Sequence, residues 1–420
     1  MKKLLFITPE LPFPAHSGGK LKSLRLLQAM AEQYEVTLAC PLKLEDADHL
    51  DDFLEISPCV RHLHHAVAVP RTAGNLLRSY IHGIPLNVLR TRSRELCDQI
   101  AELPREFDAV LLDHYEVAQY LPEKFAGLCI YHAHNAYAML WQRYAEAPGN
   151  LLLRAAAWLE ARRVKRYEAR LGNRAEIVFA APNDMVILEQ AGVDREKMRP
   201  TYHLGDDSQL ALPKLAYEHT ELKLMYVGFL GWEANVTGLL WFISEVWPLL
   251  LEQQPELRFD IVGKNPDPRL VSAVEPHGGI RLTGFVADLQ TIYANSRVSV
   301  APLLFGSGMK VKVLDAMARG IPTVTTQVGA EGIDAQPGTH LMVADQPKNM
   351  AAAIFSLLHD RDLWQQLQAN SQSLIRESYT WRRLFDTMHA AINDALRSLR
   401  KDARQQGVDS PLKTPEVRAA

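Results

Sequence analysis

Cysteine is scarce in this sequence of 420 residues: there are four, and no two of them form a CxxC pair. That scarcity argues against a cysteine zinc site and against a disulfide framework, and it fits a reducing cytosol. A net charge of −3 gives no case for nucleic acid as the main partner. No apolar stretch approaches the roughly 20 residues that span a bilayer. The apolar run at the N-terminus is too short for a signal peptide, so a first β-strand is expected there.

The phosphate-binding signatures GxxxxGK[ST] and GxGxxG are also absent. The stretch FGSGMKVKVLDAMARGIPTV at 305–324 nevertheless has the pattern of a helix that follows a strand. The apolar run VSVAPLL precedes it, residues 309–319 have helical composition, and Gly320 is placed to end the helix. This order of elements is typical of a parallel α/β sheet.

The loop before this helix contains small residues and is followed by positive charge. Gly306, Ser307 and Gly308 lie where the helix begins, and free backbone N–H groups at such a point favour an anion. Lys310 and Lys312 add two cations, so phosphate is the expected ligand. The alternative is a tight turn followed by two solvated lysines.

Two successive series of alternating strands and helices predict two doubly wound, Rossmann-like α/β domains. We expect the first over 1–210 and the second over 211–380, followed by a helix at 381–400 that packs back towards the first domain. The polar stretch 401–420 is expected to be a disordered tail. Ligands of such sheets bind beyond the carboxyl ends of the strands, so two facing domains predict a cleft between them.

The second half of the chain resembles the nucleotide-sugar domain of retaining family-4 glycosyltransferases, which have the GT-B architecture. The pieces that carry the resemblance are LMYVGFLGWEANVTGLLWFISEVWP, IRLTGFVADLQTIYANSRVSVAPL and above all FGSGMKVKVLDAMARGIPTVTTQVGAEGID. The first half is more weakly similar, through ITPELPFPAHSGG and HAHNAYAMLWQRYA. The resemblance implies transfer of a hexose from a nucleotide diphosphate sugar to an acceptor hydroxyl, with retention of configuration and with no cofactor or metal.

The resemblance also implies roles for residues around the basic loop. Asp315 matches the second acid of the family, which holds the nucleotide ribose, whereas Ser307 stands where most relatives carry the first acid. Phe229 and Ala234 stand where relatives carry an Arg and a Lys that clamp the diphosphate. We therefore expect Lys312, which shares a helix face with Asp315, to replace that clamp, with a smaller role for Lys310.

Further donor contacts are implied in the second half. Gly284 and Phe285 end a strand at the place where relatives hold the base, largely through the backbone. Glu331, in GAEGI, follows a strand and is a candidate donor contact.

In the first half, Gly18 and Gly19 follow a strand and open a helix, which the resemblance assigns to close approach of the donor phosphate or the acceptor. His134 matches a family histidine that contacts the transferred sugar, and His16 is a candidate for the acceptor side. The alternative for each of these residues is an ordinary structural role.

Two acidic doublets, Asp46 with Asp48 and Asp360 with Asp362, imitate a metal-binding DxD motif, but both lie in polar, helix-like stretches and are expected to be solvated. The basic amphipathic helix at 149–172 could lie on an anionic membrane where a lipid-linked acceptor waits; a packed helix with a solvated basic side is the alternative.

The expected function is thus a cytoplasmic glycosyltransferase, at most peripheral to the inner face of the membrane, that acts on a growing polysaccharide or a lipid-linked oligosaccharide. Its partners would be a nucleotide sugar and a glycan or lipid-linked acceptor. Two alternatives remain: a nucleotide-sugar epimerase of GT-B shape, and a catalytically silent subunit that binds a partner enzyme.

Overall fold

A computed structural model describes residues 1–405, except 16, 17, 69, 71, 104–106, 123, 124, 147–150, 203, 307 and 308. Three of the predicted site residues, His16, Ser307 and Gly308, therefore lie outside the described residues.

The chain divides into two compact units. The first comprises residues 1–202 and 385–420, and the second comprises residues 203–384. The last helix runs from Trp381 to Gln405, so residues 401–405 of the predicted disordered tail are helical. The rest of that tail lies outside the described residues.

In its described residues, the first unit has one parallel sheet of seven strands. The strands are β1 (Lys2–Ile7), β2 (Tyr34–Lys43), β3 (Arg61–Val67), β4 (Ala109–Asp113), β5 (Leu128–His132), β6 (Ile177–Ala180) and β7 (Met198–Pro200). Their spatial order is β3-β2-β1-β4-β5-β6-β7, so chain order reverses between β1 and β4. Strands β4 and β5 are buried along their whole length, as parallel strands covered on both faces must be.

Helices cover both faces of this sheet. They are α1 (Gly18–Gln33), α2 (Leu50–Ile56), α3 (Ala73–Ile81), α4 (Leu86–Arg90), α5 (Arg94–Ala101), α6 (Tyr137–Glu146), α7 (Leu151–Arg174) and α8 (Pro182–Gln190), with 3₁₀ turns at Leu44–His49, Tyr115–Tyr120 and Arg195–Lys197. Helix α7 corresponds to the predicted basic helix at 149–172. Buried Glu168 of α7 accepts the N–H groups of Tyr137 (2.9 Å) and Ala138 (3.1 Å), which fixes the start of α6 against α7.

The second unit has a parallel sheet of six strands in the described residues. They are β8 (Glu221–Val227), β9 (Arg258–Val262), β10 (Ile280–Gly284), β11 (Ser296–Ala301), β12 (Thr323–Thr325) and β13 (Met342–Val343). The spatial order β10-β9-β8-β11-β12-β13 again reverses next to the first strand of the unit, between β8 and β11. Two doubly wound, Rossmann-like sheets were predicted, and the structure confirms them.

The helices of the second unit are α9 (Glu233–Trp241), α10 (Trp247–Gln253), α11 (Pro268–Val274), α12 (Gln290–Asn295), α13 (Val311–Arg319), α14 (Gln327–Ala330), α15 (Pro347–His359) and α16 (Arg361–Ser378), with 3₁₀ turns at Asp207–Ala211 and Tyr217–His219. The last helix, α17 (Trp381–Gln405), starts in this unit and continues in the first. Helix α13 ends at Gly320, whose φ of 82° lets its N–H bond the carbonyls of Ala316 and Met317, as the sequence predicts.

The expectation that no apolar stretch approaches the length of a membrane span is wrong for one segment. Helices α9 and α10 join through a π-helical turn at Phe242–Val246 into 21 continuous residues, Glu233–Gln253, which contain an 18-residue window with a mean hydropathy of 1.3. Over half of the apolar window is buried inside the unit, where Phe242, Val246 and Trp247 belong to the core. We therefore interpret this segment as a core helix.

Candidate active site

The carboxyl ends of β8 and β11 form the switch point of the second sheet, which is where ligands of open α/β sheets bind. Two segments meet there: the loop that follows β8 and helix α13, which follows β11. A Cβ atom at Gly228 would lie 2.9 Å from Nζ of Lys312. Glycine at this position therefore lets the lysine of α13 reach the end of β8.

The ammonium of Lys312 is held by groups of β8 and α9. It donates to the hydroxyl of Tyr226 (2.5 Å) and to Oδ1 of Asn235 (2.7 Å), and it lies 4.3 Å from the centre of the Tyr226 ring. Asn235 is buried and donates in turn to the carbonyl of Phe229 (2.7 Å), in the loop after β8. Lys312 thus lies beside the loop in which relatives were expected to carry their diphosphate clamp.

The surroundings of Lys312 weaken its hold on a proton. Burial, together with the charge of Lys310, lowers the pKa of Lys312 to about 7. Its hydrogen-bond partners are neutral groups, so an arriving diphosphate would supply the negative charge that this cation lacks.

Asp315 lies one turn after Lys312 on the same face of α13. Its Oδ1 accepts the N–H of Asp206 (2.7 Å), and the described residues give Oδ2 no hydrogen bond, which leaves that oxygen available for hydroxyl groups. A Cβ atom at Gly205 would lie 1.9 Å from Oδ1, so the chain can pass this carboxylate only with glycine. Burial raises the pKa of Asp315 to about 6, and the charge of Asp206 acts in the same direction.

The segment that bonds Asp315 is fixed from its other side by Trp381. The indole N–H of Trp381 donates to the carbonyl of Gly205 (2.9 Å), and its backbone N–H donates to Asp207 (2.8 Å). The carboxylate of Asp315 is therefore bound to backbone that is itself anchored within the second unit.

Lys310 and Glu331, both predicted to bind the donor, lie together. Lys310 is buried at the start of α13, with Nζ 3.7 Å from Oε2 of Glu331. Burial lowers the pKa of Lys310, and Glu331 opposes that shift. A phosphate would compete with this carboxylate for Lys310, so Lys312 is the better placed cation. Gly306 lies next to Lys310 with a φ of 149°, a conformation that favours glycine.

Gly284 ends β10 and Phe285 comes directly after it, so both lie at the carboxyl edge of the second sheet, where β8 also ends. The carbonyl of Gly284, a residue with a φ of 72°, accepts the N–H of Gly263 (2.9 Å). A Cβ atom at Gly263 would lie 1.8 Å from the carbonyl oxygen of Gly228, so the ends of β8 and β9 approach closely. The ring of Phe285 is exposed, with Nζ of Lys264 4.0 Å from its centre. An exposed ring beside a cation is suited to stacking on a nucleobase.

A buried polar network, which the sequence did not indicate, occupies the carboxyl end of the first sheet. Asp113 ends β4 and is fully buried. Its Oδ1 accepts from Nδ1 of His132 (2.6 Å) and from Nε2 of His134 (2.7 Å), while Oδ2 accepts from Ser23 (2.5 Å) and Thr8 (3.4 Å). Four donors, from α1, from β5 and from residues that follow β1 and β5, therefore converge on one carboxylate.

In this network the carboxylate of Asp113 carries a negative charge and the two histidines are neutral. Burial alone would raise the pKa of Asp113, but His134 and His132 hold it well below its ordinary value. Burial lowers the pKa of each of these two histidines to about 4, so both imidazoles are neutral near pH 7. Buried Lys22 finds no hydrogen-bond partner among the described residues, and its pKa falls to about 8 through burial, opposed by Asp113. Lys22 is thus the charge that balances Asp113.

The tautomer of His134 follows from these contacts. Because Nε2–H donates to Asp113, the lone pair of the neutral ring is on Nδ1. A Cβ atom at Gly19 would lie 3.8 Å from this Nδ1, so His134 faces the start of α1. The structure therefore places Gly19, one of the predicted pair Gly18 and Gly19, beside His134, which was predicted separately. The ring also stacks on His114, with centroids 3.9 Å apart.

Asp113, His132 and His134 place three potential metal-ligand atoms within 4.8 Å of one another. Donor atoms around a zinc ion at about 2.0 Å each lie roughly 3.3 Å apart, wider than the 2.6 and 2.7 Å contacts found here. The charge of Lys22, which lowers the pKa of both histidines, also opposes a second cation. We interpret the cluster as a hydrogen-bonded network.

The acidic doublets have structural roles. Asp46 was expected to be solvated, but this is wrong: it is buried and lies 2.6 Å from Nζ of Lys20. Asp360 caps the start of α16 by accepting the N–H of Leu363 (2.9 Å).

The residues of these two sites that were not identified from the sequence include Lys22, Asp113, Tyr226 and Asn235. Asp113 and Tyr226 could have been found, because each is a polar side chain at the carboxyl end of a predicted apolar strand. Lys22 and Asn235 lie inside helices and carry no comparable signal.

Comparisons with known proteins agree with this architecture. Residues 221–360 match the model of the family described as glycosyl transferases group 1. A 44.6 kDa protein of the cps region of Klebsiella pneumoniae is 23% identical over 404 residues, which cover 92% of this chain and 99% of that protein.

Solved structures show the same arrangement over most of the chain. Anabaena HepE in complex with UDP and glucose matches with a TM-score of 0.63 and 13% identity, covering 94% of this chain and all of HepE. Sucrose-phosphate synthase from Thermosynechococcus elongatus matches with a TM-score of 0.64 and 16% identity, covering 95% of this chain and all of the synthase. The chain has the fold of GT-B glycosyltransferases.

Proposed function

We propose that this protein is a retaining glycosyltransferase that moves a hexose from a nucleotide diphosphate sugar to an acceptor hydroxyl. The observation that carries the proposal is the pair formed by Lys312 and Asp315, a cation and a carboxylate on one face of α13 at the switch point of the second sheet. The match to the glycosyl transferase family covers this part of the chain.

Each group has a role in the transfer. Lys312 and the N–H groups at the start of α13 meet the charge that develops on the leaving diphosphate. Oδ2 of Asp315 accepts from the ribose hydroxyls, and His134 contacts the transferred sugar. In a front-face transfer, the bond from the acceptor oxygen to the anomeric carbon forms as the bond to phosphate breaks on the same face. The acceptor proton then passes to a phosphate oxygen.

Two comparisons support the choice of substrates. HepE binds UDP and glucose, so UDP sugars are the first donors to test. The Klebsiella relative belongs to a cps region, which favours a growing polysaccharide or a lipid-linked oligosaccharide as acceptor.

Titration calorimetry with UDP and other nucleoside diphosphates, followed by assays of donor hydrolysis and sugar transfer, tests the proposal. A donor at 100 times its dissociation constant should raise the free energy of unfolding by about 2.7 kcal/mol. If the donor binds and the configuration at one carbon of its sugar is inverted, with no transfer to an acceptor, the protein would be an epimerase. Binding with neither hydrolysis nor transfer for any acceptor would indicate a silent subunit.

The reaction is expected to need no divalent metal, because Asp46 is paired with Lys20 and Asp360 caps the start of α16. Activity should therefore be unchanged in EDTA. Loss of activity in EDTA, with recovery on adding Mn²⁺ or Mg²⁺, would contradict this. Asp113→Asn would then show whether the histidine cluster holds the ion.

Affinity for UDP should pass through a maximum between about pH 6 and 7. As the pH falls through about 6, Asp315 takes up a proton and no longer accepts strongly from ribose. As the pH rises through about 7, Lys312 loses its charge. Calorimetry across this range measures the affinity for UDP on both sides of the maximum, which we call the acid limb and the alkaline limb of the pH profile.

Two variants separate the limbs. Lys312→Arg stays charged and should remove the alkaline limb. Asp315→Asn should flatten the acid limb down to the contribution of the nucleotide, whose terminal phosphate also titrates at about pH 6. An alkaline limb that persists in Lys312→Arg would assign it to another group.

A further inference from the structure

The exposed face of helix α7 changes character along its length. Its first half exposes Leu151, Leu152 and Leu153 to 76, 80 and 65%, and Trp158 and Leu159 are also exposed. Contiguous exposed apolar side chains of this kind mark sites of interaction with proteins or membranes.

The second half of the same face is cationic. Its exposed side chains are Arg162, Lys165, Arg166 and Arg170, and none of them forms an ion pair within the described part of the chain. The only acids of α7 turn inward: Glu160 bonds the backbone of Leu86, and Glu168 caps α6. The exposed side chains of α7 itself are therefore cationic in the described residues, and Glu146 of α6 is an acid that lies near them.

The two halves meet at a groove between α6 and α7. It has a volume of about 580 Å³ and is lined by Ala138, Gln142, Leu151, Arg154 and Trp158, among others. The guanidinium of Arg162 lies 3.8 Å above the Trp158 ring, which joins the apolar and the cationic side chains.

We infer that this α7 surface binds the surface of a membrane rich in anionic lipids. Leucines at one end insert among the acyl chains, tryptophan lies at the headgroup level, and the basic residues contact lipid phosphates. The charge decides between occupants: a second copy of this chain would oppose one basic face to another, whereas anionic headgroups neutralise it. The inference rests on the first unit alone and is independent of the proposed reaction.

Sedimentation with sucrose-loaded vesicles tests it. The full chain should bind vesicles that contain about a third phosphatidylglycerol and bind vesicles of phosphatidylcholine alone at least tenfold more weakly, since each basic side chain near the surface contributes about fivefold. Raising the salt should weaken binding. Folded protein that does not sediment with the anionic vesicles at low salt overturns the inference.

Variants locate the surface. Changing Leu151, Leu152 and Leu153 to asparagine should reduce vesicle binding at least about tenfold. The matched control changes Leu44, Ile56 and Val60, which are similarly exposed in the same unit (69, 54 and 65%), and should leave binding unchanged. Equal losses in both triple variants would show that the α7 surface is not the contact.

Two double variants that reverse charge, one on the α7 surface and one in the second unit, complete the test. Arg162→Glu with Arg166→Glu should abolish the preference for phosphatidylglycerol, whereas Arg258→Glu with Lys348→Glu in the second unit should retain it. All variants should keep the affinity for UDP, so a failure of membrane binding is distinguishable from a failure of the donor site. A dimer by light scattering without lipid, lost in the leucine variant, would assign the surface to a second copy.

Discussion

Replacement of Lys312 by alanine is expected to lower kcat by about 10²-fold or more, the range for removing one preorganised donor from an active site. A diphosphate leaving group needs a cation, because the amides at a helix start supply only partial charge. Lys312 is held by Tyr226 and Asn235 at the end of β8, so its ammonium is already in position when the donor binds. Steady-state kinetics with a fixed acceptor measures the loss.

Lys310 provides the matched control two residues earlier. Its ammonium is paired with Glu331, so Lys310→Ala should cost much less activity than Lys312→Ala. Lys312→Arg should keep partial activity, since a point charge on phosphate serves even where the geometry differs. Near-normal turnover in Lys312→Ala with loss in Lys310→Ala would mean that the other lysine binds the phosphate. If neither change matters, the phosphate site at residues 305–312 is wrong.

The fold was predictable because its signals are local. Apolar strands of four to seven residues, helical periodicity between them and Gly320 after α13 each specify one element, and their alternation specifies a parallel sheet. Lys312 and Asp315 could be placed together for the same reason, since their spacing of three residues fixes a shared helix face. Helix 233–253 was misjudged because three glutamates, Glu233, Glu245 and Glu252, obscured one long apolar segment.

The contacts that tune the site could not be predicted, because they join distant parts of the chain. Asp206 bonds Asp315 across 109 positions, and Lys312 reaches Tyr226 across 86. No local pattern relates such residues, yet the burial that this packing produces moves the pKa values of Lys312 and Asp315 towards each other, while the N–H group of Asp206 opposes the shift of Asp315. The sequence could identify the ionisable groups; the tertiary packing determines when they are charged.

Replacement of Asp113 is expected to have the largest effect on the first unit. Asp113→Ala leaves the N–H groups of His132 and His134 and the Ser23 hydroxyl without this acceptor, and leaves buried Lys22 with Asp184 as its remaining counter-charge. Removing one partner of a buried charged pair costs about 3–5 kcal/mol. Chemical denaturation monitored by circular dichroism should show that loss.

The asparagine variant separates stability from activity. In Asp113→Asn the amide oxygen can still accept from the two histidines and the NH₂ group can donate to Ser23, so unfolding should be less affected than in Asp113→Ala. The lost charge still leaves Lys22 with Asp184 alone to compensate it, and Lys22→Met in the Asn background should therefore restore part of the stability. Additive losses in the double variant would mean that Lys22 and Asp113 do not compensate each other.

Sugar transfer should fall even where folding survives. His134 keeps its tautomer and its orientation towards Gly19 only while Nε2–H has a fixed acceptor, and a displacement of about 1 Å in such a group costs on the order of 10²-fold in rate. Because Lys312 and Asp315 belong to the second unit, the Kd for UDP should be unchanged in Asp113→Asn while kcat falls. Full transfer activity in folded Asp113→Asn would show that the network only stabilises the sheet. A parallel loss of UDP affinity would show that its effect is not confined to the first unit.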